Sequence, residues 1–291
     1  MKSTAQTPVL SLLTARLLTA RLLSARLLTV MVITVLSSLL FATSTMAGNS
    51  RSSDKSTLSY APSESPLQDV IDAQEKAKNN DTLLLVVLGA TWCHDSTGLA
   101  SHFESEALQP ILEKYYTTLL VDVGLLEDRR SITKRFDYPI YYATPTVMIV
   151  EPNTGTLLNR ASMARWAHAD SIPLIDYVEY FTAHGELSEQ EIAALQSYTP
   201  TTEEMSYNEQ YAARLQAAYK ELSPLLKDDI NGDLEGDSAD NFYAMWREVR
   251  QFRATLQKEL MERTQAQLNK GDVSLETKKA TLTEHGPFSW H

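Results

Sequence analysis

Cysteine is almost missing from this sequence: one thiol, Cys93, stands in 291 residues. An intramolecular disulfide, a cysteine-rich zinc site and an iron–sulfur cluster are therefore excluded within the chain. Glycine (10) and proline (11) are also scarce, which rules out collagenous and low-complexity polymers. Basic charge is short as well, with 26 Lys and Arg against 37 Asp and Glu and a net charge of −11. Lys2, Arg16, Arg21 and Arg26 precede Gly48 and no acid does, so a product starting there is more acidic still. Phosphate binding needs a basic face, and this balance argues against nucleic acid as the main partner. What is abundant is apolar material, 43% of residues, enough for one or two buried cores.

The N-terminus repeats a five-residue unit, Leu-Leu-Thr-Ala-Arg and its variants, before an apolar run from Leu27 to Ala42. Positive charge, then the apolar run, then small residues at Thr45 and Ala47 is the plan of a secretory signal peptide cut after Ala47. The run falls short of the roughly 20 residues of a comfortable membrane span, and the added leucine from Leu10 to Leu28 with the long basic n-region keeps an uncleaved signal anchor as the alternative. Export is expected, to the periplasm in a bacterial setting, and membrane contact only through this segment if it stays attached. A lone cysteine in an oxidising compartment is a reactive thiol or an intermolecular partner.

Residues 48–64 carry Ser50, Ser52, Ser53, Ser56, Ser59 and Ser63 with little that is apolar, and read as a linker. Folding is expected from Ser65, where Ser-Pro opens a helix whose apolar positions Leu67, Val70, Ile71 and Ala77 recur at helical spacing. Leu83 to Leu88 is a strand covered on both faces. A helix from Phe103 to Tyr115 kinked at Pro110, a strand from Thr118 to Val123 and a polar helix from Glu127 to Phe136 follow. Then come a strand from Thr146 to Val150, a turn at Asn153-Thr154-Gly155, a returning strand from Thr156 and a helix from Asp170 to Ala183. The alternation predicts an α/β sheet with helices on both faces over residues 65–185. From 186 to 291 the expectation is all-α, with helices over Leu187 to Leu195, Tyr207 to Leu222 and Phe242 to Leu268. In the last of these Phe242, Trp246, Val249, Phe252, Leu256 and Leu260 share one side. That stripe reads as core, with a groove for a partner helix as the alternative. The aromatic end, Phe288 and Trp290, is open between docking and disorder.

Three motifs carry chemistry. Trp92-Cys93-His94-Asp95-Ser96 follows an apolar strand and opens a helix, Val121-Asp122-Val123 precedes a short helix, and Thr144-Pro145-Thr146 opens a strand. In this order they resemble the thioredoxin superfamily over roughly residues 66–184. The resemblance implies a thioredoxin-like sandwich, a central mixed sheet with helices on both faces, followed here by an all-α extension. It places Cys93 in the first turn of a helix, where free backbone N–H groups and the helix dipole favour the thiolate. It implies a cis bond before Pro145, with Thr144 and Pro145 as the edge that pairs with an extended substrate, and Trp92 as an apolar shield beside the thiol.

The departures set the chemistry. The resolving cysteine of the family is replaced by Ser96, so a mixed disulfide at Cys93 awaits an outside thiol, and Ser96 is expected to donate a hydrogen bond to the thiolate. The family's buried carboxylate, six residues before the first cysteine, is replaced by Val87. His94 favours a thiolate when protonated and Asp95 opposes it. The expected activity is monothiol thiol–disulfide exchange with protein or small-molecule thiols and disulfides, without a cofactor. The alternative is a redox-inactive binding or scaffold protein whose helical region holds a partner. A cysteine hydrolase would need His102 or His168 as base, and a copper or zinc site would draw on Cys93, His94, Asp95 and His102. Asp229, Asn231, Asp233, Glu235, Asp237 and Asp240 have the offsets of a calcium loop, but Leu234 stands where that loop needs glycine, and a solvated acidic linker is the simpler reading.

Overall fold

The computed structural model describes residues 58–269 and 282–290; the expected signal segment and most of the expected Ser-rich linker lie outside the described residues. Helix α1 (Pro66–Asn80) begins with proline in its first turn and ends at Asp81, whose left-handed backbone (φ 54°) lets its N–H reach back to the Ala77 and Lys78 carbonyls. Its buried residues Val70, Gln74 and Ala77 fall at the four- and three-residue steps of one helical face.

Strand β1 (Leu83–Gly89) is the axis of the domain. It pairs in parallel with β2 (Tyr116–Asp122) and antiparallel with β3 (Thr146–Glu151), and β3 pairs antiparallel with the short β4 (Thr156–Leu157), giving the order β2-β1-β3-β4. Period-two alternation divides its side chains between two cores. Leu84, Val86 and Leu88 enter one, Leu85 and Val87 the other. On the second face lie α2 (His94–Phe103), α3 (Gln109–Tyr115), α5 (Leu174–Gly185) and the 3-10 turns of Arg160–Ser171; the first is covered by α1 and the C-terminal helices. Short helix α4 (Arg130–Thr133) continues as a 3-10 turn to Phe136. This is an α/β sandwich, a mixed four-stranded sheet with helices on both faces, followed by an all-α extension.

Several boundaries move. Pro110 does not kink one long helix: α2 stops at Phe103, and the proline instead opens the separate helix α3. The helix expected from Asp170 starts at Leu174, after Pro173. The linker reading fails at its end, since Tyr60 is 4% exposed and Leu58 packs on the same core.

The extension comprises α6 (Glu189–Leu195), α7 (Thr202–Asn231) and α8 (Gly236–Leu268). The predicted stripe is core: Phe242, Val249, Phe252, Leu256 and Leu260 are buried, and Trp246 packs against them. These helices lie on the loop before β3. Tyr219 stacks on Tyr141 at 5.2 Å, its hydroxyl donates to the Tyr141 carbonyl, and Gln257 Nε2 donates to the Tyr138 hydroxyl. The aromatic end docks: Phe288 is buried edge-on against Phe252 and stacks on Trp290.

Candidate functional site

The chain leaves the buried strand β1 at Gly89 and turns through Thr91 and Trp92 so that Cys93 is the N-cap of α2. Cys93 is half-buried, its N–H donates to the Ala90 carbonyl, and its backbone carbonyl accepts from Thr97 N–H at 3.0 Å. The sulfur does not cap the helix. It points across to the loop before β3, where the Thr144-Pro145 peptide is cis, and donates to the Thr144 carbonyl at 3.0 Å. Trp92 stands beside it, held by its indole N–H on the Gly124 carbonyl at 2.7 Å and by the edge of Trp246 from α8, 6.2 Å between ring centres. Cys93, Trp92, Thr144 and Pro145 are thus brought together.

Their accessibility differs from the expectation. Thr144 is 4% exposed and Pro145 is buried, because the C-terminal helices back the loop and the Cys93 thiol occupies its carbonyl. The edge expected to pair with a substrate strand is covered, leaving Thr91, Trp92, Cys93 and His94 as the accessible surface. Ser96 is also corrected. It is fully buried and its hydroxyl makes no bond to the sulfur, because one turn into α2 its side chain faces the core. It meets Tyr60 there; a Cβ on Gly89 would come within 2.6 Å of the Tyr60 ring and 2.7 Å of Ser96 Oγ, so only glycine leaves room for the pair. The two hydroxyls approach without reaching hydrogen-bond geometry and neither has another partner, while burial pushes the Tyr60 phenol far above its ordinary range.

His94 and Asp95 turn away from the sulfur. His94 Nδ1 lies 3.1 Å from Asp170 Oδ2 and 3.5 Å from Asp95 Oδ2, and the Asp170 N–H donates to Asp95 Oδ1 at 3.2 Å. Burial, then the hydrogen bond to Asp170, raise Asp95 above the usual carboxylate range; that same bond, and His94, hold exposed Asp170 below it. Of the two carboxyls, Asp95 is therefore the one that takes up a proton first as pH falls. These three residues are the only group among the described residues whose donor atoms gather within 4.8 Å as a metal site requires, and neither Cys93 nor His102 belongs to it. His102 instead packs on Tyr177, ring centres 4.5 Å apart, and no histidine hydrogen-bonds Cys93 among the described residues, which leaves the hydrolase alternative without a base.

The acidic residues near 229–240 do not surround a common point. Asp229 and Asn231 lie in the last turn of α7, which Gly232 closes in the left-handed region (φ 76°), and Glu235 caps α8, on whose first turns Asp237 and Asp240 stand. The glycine cap turns the chain so quickly that Asp233 alone occupies the bend with Leu234, and Asp229 is bonded to the Tyr243 hydroxyl at 2.6 Å.

Sequence reasoning missed Tyr60 and Asp170. Tyr60 sits in a polar stretch with no period, and Asp170 is 75 residues from the Asp95 it bonds. A signal for the second existed in Gly98, since a Cβ there would meet Asp170 Cα at 3.0 Å and only glycine permits the approach.

No protein-family model matches the chain, and no curated protein does. A solved structure to which it is similar is a disulphide isomerase from Xylella fastidiosa Temecula1, at 21% identity and a TM-score of 0.40, over 44% of this chain and 98% of that one.

Proposed function

We propose that the protein performs thiol–disulfide exchange through Cys93 alone, after export to an oxidising compartment. The observation that carries this reading is the place of Cys93: half-buried, at the start of α2, 3.0 Å from the carbonyl of the cis Thr144-Pro145 loop. The first-turn N–H groups of α2 have no side-chain cap, and with the helix dipole they favour negative charge at this end of the helix. The Cys93 thiolate attacks one sulfur of a disulfide RS–SR′. A Cys93–S–S–R bond forms, the S–S bond of the partner breaks, and R′S⁻ leaves to take a proton from water. With serine at position 96, release falls to an outside thiolate R″S⁻, which attacks the R sulfur, forms RS–SR″ and returns Cys93 as thiolate. No electrons remain on the protein and no cofactor is called for.

The test is intact-mass spectrometry after mixing the protein with an oxidised peptide disulfide at neutral pH. One peptide adduct at Cys93, removed by a second thiol, is expected; an unmodified chain contradicts the proposal. The burial of Thr144 and Pro145 favours a second reading, a binding protein whose thioredoxin-like surface no longer turns over. Full biological activity of Cys93→Ser would select it.

A further inference from the structure

Beside the thiol site, α8 carries a concentration of positive charge that the acidic chain shows nowhere else in that helix. From Asn241 to Lys258 the bases are Arg247, Arg250, Arg253 and Lys258, and the single acid, Glu248, is engaged with the backbone and hydroxyl of Ser289. Arg247, Arg250 and Arg253 follow one another at three-residue steps and line a groove of about 380 Å³, whose opposite wall is Tyr142, Ala143 and His168. Ala143 is the residue before Thr144, whose carbonyl accepts from the Cys93 thiol, and Arg247 follows Trp246, whose ring meets that of Trp92 at 6.2 Å.

None of the three arginines has an ion-pair partner among the described residues. Arg253 lies 5.7 Å from the Trp246 ring centre and reaches the Tyr219 hydroxyl, while Arg247 and Arg250 are exposed. Like charges at this spacing repel on a helix by about 0.2–0.5 kcal/mol per pair, a cost that folding alone gives no reason to keep. Guanidinium groups in a row bind carboxylates bidentately, and the facing wall of buried Tyr142 and Ala143 keeps solvent from one side.

We propose that this groove receives an acidic peptide segment of the partner, with Arg247 and Arg250 taking its carboxylates while the sulfur beside that segment meets Cys93. The inference rests on the thiol–disulfide reading and names its substrate class: disulfides or thiols flanked by Asp or Glu. With the Thr144 edge covered, recognition passes from backbone pairing to charge.

The test uses the full chain carrying Cys93→Ser, so that binding is read without sulfur chemistry. The probe is a fluorescein-labelled pentapeptide of glutamates around a central serine, its lysine counterpart is the control, and anisotropy gives the affinity. The acidic peptide is expected to bind and the lysine peptide not. Combined Arg247→Gln and Arg250→Gln should weaken binding on the order of tenfold. In the chain with all arginines intact, raising salt from about 50 to about 300 mM should weaken it likewise. Equal binding of both peptides, or acidic binding indifferent to the double variant and to salt, would overturn the inference. Reactive Cys93 with no acidic binding defeats the groove alone; acidic binding with inert Cys93 defeats the exchange reading alone.

Discussion

The Asp95 carboxyl accepts from the Asp170 N–H, is raised above the usual carboxylate range by burial and then by its bond to Asp170, and stands beside the imidazole of His94. An amide at position 95 suits this geometry, with Oδ1 accepting from the Asp170 N–H and Nδ2 donating to the Asp170 carboxylate. Asp95→Asn is therefore expected to leave the unfolding midpoint nearly unchanged, whereas Asp95→Ala, which strands the Asp170 N–H, should cost about 1–3 kcal/mol in denaturant titration. Equal losses from both variants would contradict this pairing of residues 95 and 170. A second titrating group lies far from the thiol. Burial pushes His184 down to about 4, while its Nδ1 donates to the Tyr180 carbonyl at 2.8 Å. The unfolded chain takes up this proton below about 6.5 and the folded chain only near 4, so the contribution is complete above 6.5 and is lost as pH falls toward 4. Between pH 7 and 5 the stability should drop by ~1–2 kcal/mol through this residue, and His184→Gln should flatten that part of the profile.

At the scale of elements, α2 can lie against the 3-10 turns of Arg160–Ser171 only because Gly98 has no side chain; a Cβ would stand 2.9 Å from Asp170 Cβ. Alanine is the better helix former by about 1 kcal/mol, yet Gly98→Ala must push the backbone of Asp170 away, and a net loss of ~1–2 kcal/mol is expected. The displaced Asp170 should release Asp95, whose titration by NMR should move back toward the ordinary carboxylate range; a more stable variant with Asp95 unmoved would contradict this. Legibility followed periodicity. The apolar run Leu83 to Leu88 and the stripe from Phe242 to Leu260 announced a two-faced strand and a core helix, and Trp92-Cys93 with Thr144-Pro145 marked two segments that meet in the fold. The 3-10 turns of Arg160–Ser171 were not legible, since their buried residues Arg160, Met163, Trp166 and Ala169 recur every three residues without an apolar majority. The start of α7 was placed late because apolar spacing begins at Tyr207, while the capping box of Thr201 and Glu204 starts the helix five residues earlier, at Thr202. The covered state of Thr144 and Pro145 depends on helices about a hundred residues downstream, which no local motif encodes.

For the whole molecule, the C-terminal helices are part of the core and not an appendage. Leu84, Val86, Leu88, Met148 and Val150 of the sheet share one cluster with Leu215, Tyr219, Val249 and Leu256 of α7 and α8. A chain ending at Gly185 would bare Tyr138, Tyr141 and Tyr142 behind the thiol site, and burying an aromatic of this size is worth about 1.5–3 kcal/mol each. Such a chain is expected to bind a hydrophobic dye and to lose its cooperative near-UV transition; a soluble monomer melting as the full chain does would contradict the single core.

The proposed exchange function requires Cys93 to be made reactive by its position. Its most direct test is the second-order rate at which Cys93 attacks a peptide disulfide at neutral pH, compared with the same chain unfolded in denaturant. The folded protein should react faster by an order of magnitude or more, in keeping with thiols at helix starts. A folded rate equal to or below the unfolded one would contradict the exchange function and leave Cys93 a bystander in a binding surface.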